Sequence, residues 1–317
     1  MRKTLLAFAL FVPLLTLAQV NEDAIKTFNQ SFESKHNRSV SDIIAQAEYQ
    51  QEIIDKISRP AEGTMTWKRY RNIFMKDERI EAGLAFWEEH KESISKVSEE
   101  TGVPTEVILG IIGVETYYGR NKGSYRVLDA LYTLGFAYPK RAKFFKSELE
   151  KFLVLCETEG LDPLEVKGSY AGAMGYSQFM PSSYIAYAKS YDKDGNADLM
   201  NSPEDAIASV ANYIKVHRWQ KGQPIASKAN FTRDVGKLNK QVLRPKNQLS
   251  AYTKIGILPE DNIQGDPKAT LVILKSGDEK EHWFGFYNFY VITRYNHSPF
   301  YAMVVYQLGE AIKNKKP

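Results

Sequence analysis

Apolar residues recur at helical spacing through the first two thirds of the chain. Over residues 41–57, Ile43, Ile44, Ala47, Ile54 and Ile57 fall on one side, which predicts one helix starting at Ser39 or Ser41 and ending before Pro60. Residues 80–100 predict a second helix, closed by Gly102. Pro104 opens a third that Gly119 ends, residues 143–159 make a fourth that stops at Gly160, and 205–215 a short fifth. After about residue 225 the pattern changes. Residues 270–274 and 283–292 are β-rich runs around a Ser276-Gly277-Asp278 turn, and the stretches at Pro259 and Pro267 read as loops. Residues 301–313 are helical again. The expected fold class is therefore mainly α: a helical domain over 19–224 and 292–317, interrupted by a small antiparallel β domain over 225–291.

One position breaks the pattern. In Ile108-Leu-Gly-Ile-Ile-Gly-Val-Glu115, the carboxylate lies on the face that carries Ile108, Ile111 and Ile112. Burial disfavours a charged carboxylate, so a Glu there is expected to hold its proton toward neutral pH, as a general acid must. The plainer reading is a helix-end Glu that pairs with Arg120 or bends into solvent.

Composition adds bounds. The chain has 317 residues, 43% hydrophobic and 25% charged, which is ordinary globular make-up for one large or two modest domains. Arg2 and Lys3 precede an apolar run over 5–17, and Thr16-Leu17-Ala18 offers a cleavage site before Gln19, so residues 1–18 read as a signal peptide. The run is short for a membrane span, and no stable membrane insertion is expected after cleavage. No cysteine adjoins the cleavage point, so no lipid anchor is supported, and the expected location is periplasmic. The single cysteine, Cys156 in an apolar run, can form no internal disulfide. A net charge of +4, falling to +2 without Arg2 and Lys3, argues against a nucleic-acid partner.

Two further blocks carry chemistry. Gly168-Ser-Tyr-Ala-Gly-Ala-Met-Gly-Tyr-Ser-Gln-Phe-Met-Pro181 lets a backbone approach a ligand closely, and its hydroxyl and amide groups suit sugar hydroxyls and acetamides. It equally suits a tight turn between packed helices. Ser190-Tyr-Asp-Lys-Asp-Gly-Asn-Ala-Asp198, followed by Asp205, alternates acidic residues around a glycine as a calcium loop does, though imperfectly in either register. The plainer reading is an acidic solvated loop. No His or Cys spacing suits zinc, and no Gly-x-Ser-x-Gly elbow occurs.

Taken in order, several blocks resemble the membrane-bound lytic murein transglycosylase B family, family 103 of the glycoside hydrolases. They are Arg59-Pro-Ala-Glu62 with Trp67 and Tyr70, Gly113-Val-Glu-Thr-Tyr-Tyr-Gly-Arg120, and Leu128-Asp-Ala-Leu. Tyr138-Pro-Lys-Arg-Ala142, Gly172-Ala-Met-Gly-Tyr-Ser-Gln-Phe-Met-Pro181, Ser209-Val-Ala-Asn-Tyr213 and Ile292-Thr-Arg-Tyr-Asn-His297 follow. The resemblance implies a lysozyme-like helical catalytic domain that cleaves the β-1,4 bond between N-acetylmuramic acid and N-acetylglucosamine in peptidoglycan. A single acid/base, here Glu115, would form 1,6-anhydromuramic ends with no cofactor. It implies substrate contacts at Arg141, Ser169, Gln178, Tyr213, Tyr295 and Asn296, with peptidoglycan glycan strands and other cell-wall enzymes as partners. It also implies a structural calcium ion on Ser190, Asp192, Asp194, the carbonyl of Asn196, and Asp205. Ser190 stands where the family usually has Asp, the spacing to Asp205 is one residue longer, and Lys140 replaces the first of two adjacent arginines. The rival functions are a hydrolysing muramidase, with Asp129 or Asp162 as a second acid, and a non-catalytic peptidoglycan-binding protein.

Overall fold

The computed structural model describes residues 20–59, 64–192, 195–234 and 242–316. The signal-peptide reading, residues 60–62 of the first family block and Asp194 lie outside them. The chain begins with α1 (Glu22–His36), α2 (Ser41–Ile44), α3 (Gln51–Ile57), α4 (Trp67–Phe74), α5 (Asp77–Glu89), α6 (Lys91–Thr101) and α7 (Thr105–Thr116). After β1 (Tyr125–Arg126) come α8 (Val127–Ala137), a 3₁₀ turn (Pro139–Arg141), α9 (Ala142–Thr158), β2 (Lys167–Gly168), α10 (Pro181–Tyr187) and α11 (Pro203–Val216). Strand β3 (Ala226–Phe231), β4 (Asn247–Gln248), α12 (Leu249–Thr253), β5 (Ile257–Pro259), β6 (Lys268–Ser276) and β7 (Glu279–Gly285) follow. Helices α13 (Tyr287–Ile292) and α14 (Pro299–Lys315) end the chain.

Helix α7 is the axis of the helical part. Every residue from Val107 to Val114 is buried, so it needs neighbours on all sides. α14 returns to pack along it, and glycines set the approach. A Cβ at Gly110 would lie 2.4 Å from the Val305 carbonyl oxygen, and one at Gly309 would lie 2.2 Å from that of Glu106. Each helix thus presses its backbone into the other where a side chain is missing.

Strands β4-β6-β7-β3-β5 form one sheet in that order, antiparallel throughout. The run Leu-Val-Ile-Leu in β6 is buried on both faces. Val272 and Leu274 join the large helical core, while Ala269 and Leu271 join a second cluster with Leu249, Ile257, Phe284 and Phe286. Ser276 pairs with Glu279 across a two-residue loop whose Gly277 has φ +66°, as the turn reading requires.

Four expectations change. The stretch at Pro259, read as a loop, ends the short edge strand β5, where Pro259 pairs with Ala229. Residues 41–57 form two helices, because the side chains of α8 capture the backbone between them: Glu48 N–H donates to Asp129 Oδ1 at 2.8 Å, and Gln50 N–H to Thr133 Oγ1 at 3.0 Å. Residues 80–100 are broken at His90, whose ring meets Glu204 Oε1 at 2.7 Å. The run 283–292 is a strand only as far as Gly285. Asn288, Phe289, Val291 and Ile292 are buried with helical spacing, and the Asn288 amide bonds the backbone of Gln220 and Gln223.

Candidate active site

Glu115 sits in the last turn of α7, half-buried, where the helix leaves the core. Tyr301 O–H, from the first turn of α14, donates to its Oε1 at 2.6 Å. Tyr301 is 2% exposed and lies in a near-parallel stack with Tyr295, their planes 10° apart and centroids 6.3 Å apart. Tyr295 O–H donates to the Ser177 carbonyl at 2.6 Å, and Tyr213 O–H to that of Arg294 at 2.5 Å. Phe179 packs against both Tyr213 and Tyr295. Burial pushes the Tyr295 and Tyr301 hydroxyls well above the ordinary tyrosine range, and the charge of Glu115 adds to it. Both therefore stay neutral donors at physiological pH.

The glycine-rich block is tied to the same helix end by Thr116, the residue after Glu115. Its buried hydroxyl donates to the Tyr176 carbonyl at 3.0 Å and accepts the Gly119 N–H at 3.0 Å. Gly119 must be glycine: its φ is +83°, and a Cβ would meet the Tyr176 ring at 1.9 Å. Within the block, Ser169 Oγ accepts the N–H groups of Ala171 and Ala173, which leaves its proton to donate outward. Gln178 Nε2 donates to the carbonyls of Lys122 and Gly175, both at 3.0 Å, which leaves Oε1 as the atom that can accept from a ligand.

The structure thus brings Glu115, Tyr213, Tyr295, Ser169 and Gln178 onto connected elements. Asn296 follows Tyr295 directly and is half-buried. Arg141 stands apart. It is exposed on the 3₁₀ turn, its guanidinium 4.2 Å from the Phe144 ring centroid, with no described hydrogen bond or ring contact to the Glu115 cluster. Sequence reasoning missed Tyr301 and Thr116. Tyr301 is 186 residues from Glu115, and nothing in its local pattern separates it from an ordinary buried helix tyrosine.

The two candidate second acids sit in different surroundings. Asp129 is 3% exposed and fully engaged: Arg126 reaches Oδ1 at 2.7 Å and Oδ2 at 2.9 Å, while Glu48 N–H and Gln50 Nε2 complete its set. Asp162 is exposed and caps the Leu164 N–H.

The acidic loop does not present a metal cage among the described residues. Asp205 is 9% exposed and accepts the N–H groups of Tyr191 and Asp198, both at 2.8 Å, so its carboxylate staples the loop to α11. Asp192 and Asn196 are exposed, and the described residues hold no group of three acidic, His or Cys side chains that could grip an ion. Asp194, a member of the predicted calcium set, lies outside the described residues, and no catalytic step is drawn through a metal.

Comparison with known proteins bears on the fold and the family. Membrane-bound lytic murein transglycosylase B of Escherichia coli is 44% identical over 256 residues, which are 81% of this chain and 70% of that protein. The crystal structure of soluble lytic transglycosylase SltB1 from Pseudomonas aeruginosa superposes with TM-score 0.84 at 43% identity, covering 92% of this chain and 98% of that one. An Escherichia coli lytic transglycosylase solved in complex with calcium superposes with TM-score 0.84 at 38% identity, covering 96% and 99%. Residues 21–310 match the transglycosylase SLT domain, and with relatives this similar along nearly the whole chain, the protein belongs to that family.

Proposed function

We propose that this protein is a peptidoglycan lytic transglycosylase, exported by its first 18 residues, in which Glu115 acts alone as acid and then base. The observation that carries the reading is Glu115 itself: a carboxyl at the end of a buried helix that accepts a hydrogen bond from the buried Tyr301. The helical domain over 19–224 and 292–317 carries the cleft in this reading. Membership of the family supports the reaction class.

Oε1 accepts from Tyr301, and in this mechanism Glu115 enters the reaction carrying a proton. It passes to the glycosidic oxygen as the bond to C1 of N-acetylmuramic acid breaks. The 2-acetamido oxygen stabilises the positive charge at C1. Glu115, now a carboxylate that Tyr301 stabilises, takes the proton of the C6 hydroxyl, and O6 attacks C1 to close the 1,6-anhydro ring. That attack is intramolecular, so little translational entropy remains to be lost. Ser169 and Gln178 orient the sugar through one donor and one acceptor, and the part-exposed ring of Tyr295 supplies an apolar face for it. Asp129 cannot activate water while Arg126 holds both its oxygens. Among the described residues no helix is long and apolar enough to cross a membrane.

The test is Glu115→Gln on purified sacculi. Clearing stops while binding to sacculi persists, and wild-type products are one water lighter than hydrolysed ends. Near wild-type clearing by the variant, or hydrated ends from the wild type, refutes the mechanism.

A further inference from the structure

The geometry points to Arg79 and the ring of Tyr117 as a clamp that positions Glu115. The inference rests on the reading of Glu115 as the acid/base. Helix α7 ends one residue after Glu115 in an unusual way. Tyr117 and Tyr118 both take left-handed backbone conformations, φ +53° and +56°, before Gly119 at +83°. A helix commonly stops on one left-handed glycine. Two bulky residues in that region are strained, because each Cβ crowds the backbone. Such strain persists only where the surroundings over-determine it.

The surroundings are specific. Arg79, on α5, donates Nη1–H to the Gly113 carbonyl at 2.6 Å, two residues before Glu115. The same carbonyl accepts the Tyr117 N–H at 3.2 Å. The Arg79 guanidinium then lies over the Tyr117 ring, 4.4 Å from its centroid, and over Phe74 at 5.2 Å. Arg120 stacks on Tyr117 as well, at 4.8 Å. Arg79 Nε is buried with no described partner, so stacking and the Gly113 bond set its orientation, not a complete set of hydrogen bonds. Tyr118 locks the next position. Its hydroxyl fills the slot left by two glycines, where a Cβ at Gly83 would lie 2.5 Å away and one at Gly113 2.4 Å.

One planar cation therefore grips the last turn of the catalytic helix and the ring that follows it. A lysine would keep the charge and lose both the fork and the stack. The clamp sets where the Glu115 carboxyl projects, and a misplacement of about 1 Å at a reacting group lowers rate by roughly 100-fold.

Tyr117→Gly separates positioning from stability. Glycine accepts the left-handed conformation without strain but gives up the ring contacts, so activity is read per folded molecule well below each variant's melting temperature. kcat on soluble glycan falls at least about tenfold, KM stays within about twofold, and the share of hydrated ends increases as Glu115 loses its alignment with the C6 hydroxyl. Tyr117→Phe, which keeps the ring, restores kcat. Arg79→Lys lowers kcat about tenfold with the same product shift. Wild-type kcat and product ratio in Tyr117→Gly overturn the clamp, as does a loss that appears only as a rise in KM, which would make Tyr117 a substrate contact. If Glu115→Gln remains active, the acid/base reading itself fails. A dead Glu115→Gln beside a fully active Tyr117→Gly removes only the clamp.

Discussion

Replacing Thr116 with valine removes one oxygen from the junction between helix α7 and the glycine-rich block while keeping the side chain's shape. The hydroxyl is 0% exposed and makes its two best bonds to Tyr176 O and Gly119 N, each at 3.0 Å. Its weaker contact, to Ile112 O at 3.3 Å, leaves a carbonyl that still receives Tyr118 N–H at 3.4 Å. Two part-buried backbone groups therefore lose a partner, at about 1–3 kcal/mol each. The added methyl returns about 0.8 kcal/mol. The net loss is about 3 kcal/mol. With a melting entropy of roughly 2.1 cal/mol/K per residue, that lowers the melting temperature of a chain this long by about 5 °C. Calorimetry measures it, and turbidity loss of sacculi measures the rate per folded molecule, expected to fall about tenfold because Glu115 is no longer tied to the block. Thr133→Val is the control. That hydroxyl is equally buried and accepts Gln50 N–H at 3.0 Å, but it supports α2 and α3, so it lowers stability and leaves kcat intact. A Thr116→Val protein melting within 1 °C of wild type, by the bounds just given, would falsify the bond ledger.

Gly309→Ala drives a Cβ to 2.2 Å from the Glu106 carbonyl and separates α14 from α7, at about 3 kcal/mol by overpacking; a melt unchanged within error would show that the helices can part freely. Asp129→Asn breaks a buried two-point ion pair and costs about 3 kcal/mol, yet products remain anhydro-ended; hydrated wild-type products that vanish in the variant would restore Asp129 as a base. Burial lifts Tyr184, Tyr213 and Tyr306 to about 12, whereas the unfolded chain ionises its tyrosines near 10. Their stabilisation is complete below pH 10 and is lost as pH rises toward 12, since only the unfolded chain releases those protons. Tyrosinate absorbance and loss of circular dichroism should rise together in that window. A full tyrosine titration near pH 10 in a still-folded protein contradicts the burial.

Local pattern was informative wherever local physics governs. The all-apolar face of residues 108–114 made α7 a buried helix and made Glu115 conspicuous on it. Gly102 and Gly160 end helices with φ of +71° and +66°, and Gly277 turns the β6–β7 hairpin, because only glycine enters those conformations freely. The ordered blocks of residues also sufficed to suggest the family. Where the chain departed from its own periodicity, a distant side chain was responsible. Asp129 and Thr133 pull residues 48–50 out of a helix, and Asn288 joins the helical part to the linker at Gln220 and Gln223. The aromatic run 287–292 has strand-forming residues, but its burial demands helical spacing.

The candidate acid was legible in the chain; its environment was not. Hydrophobic period and glycine placement act within a few residues, so they are visible in a single sequence. The hydroxyl of Tyr301, the bond from Thr116 to the glycine-rich block and the grip of Arg79 on Gly113 join residues 186, 60 and 34 positions apart. Such contacts exist only after helices pack, because geometry across a core is set by how whole elements fit together. Tertiary packing likewise decided that Arg126 holds Asp129, that Asp205 staples its loop, and that Tyr301 meets Glu115.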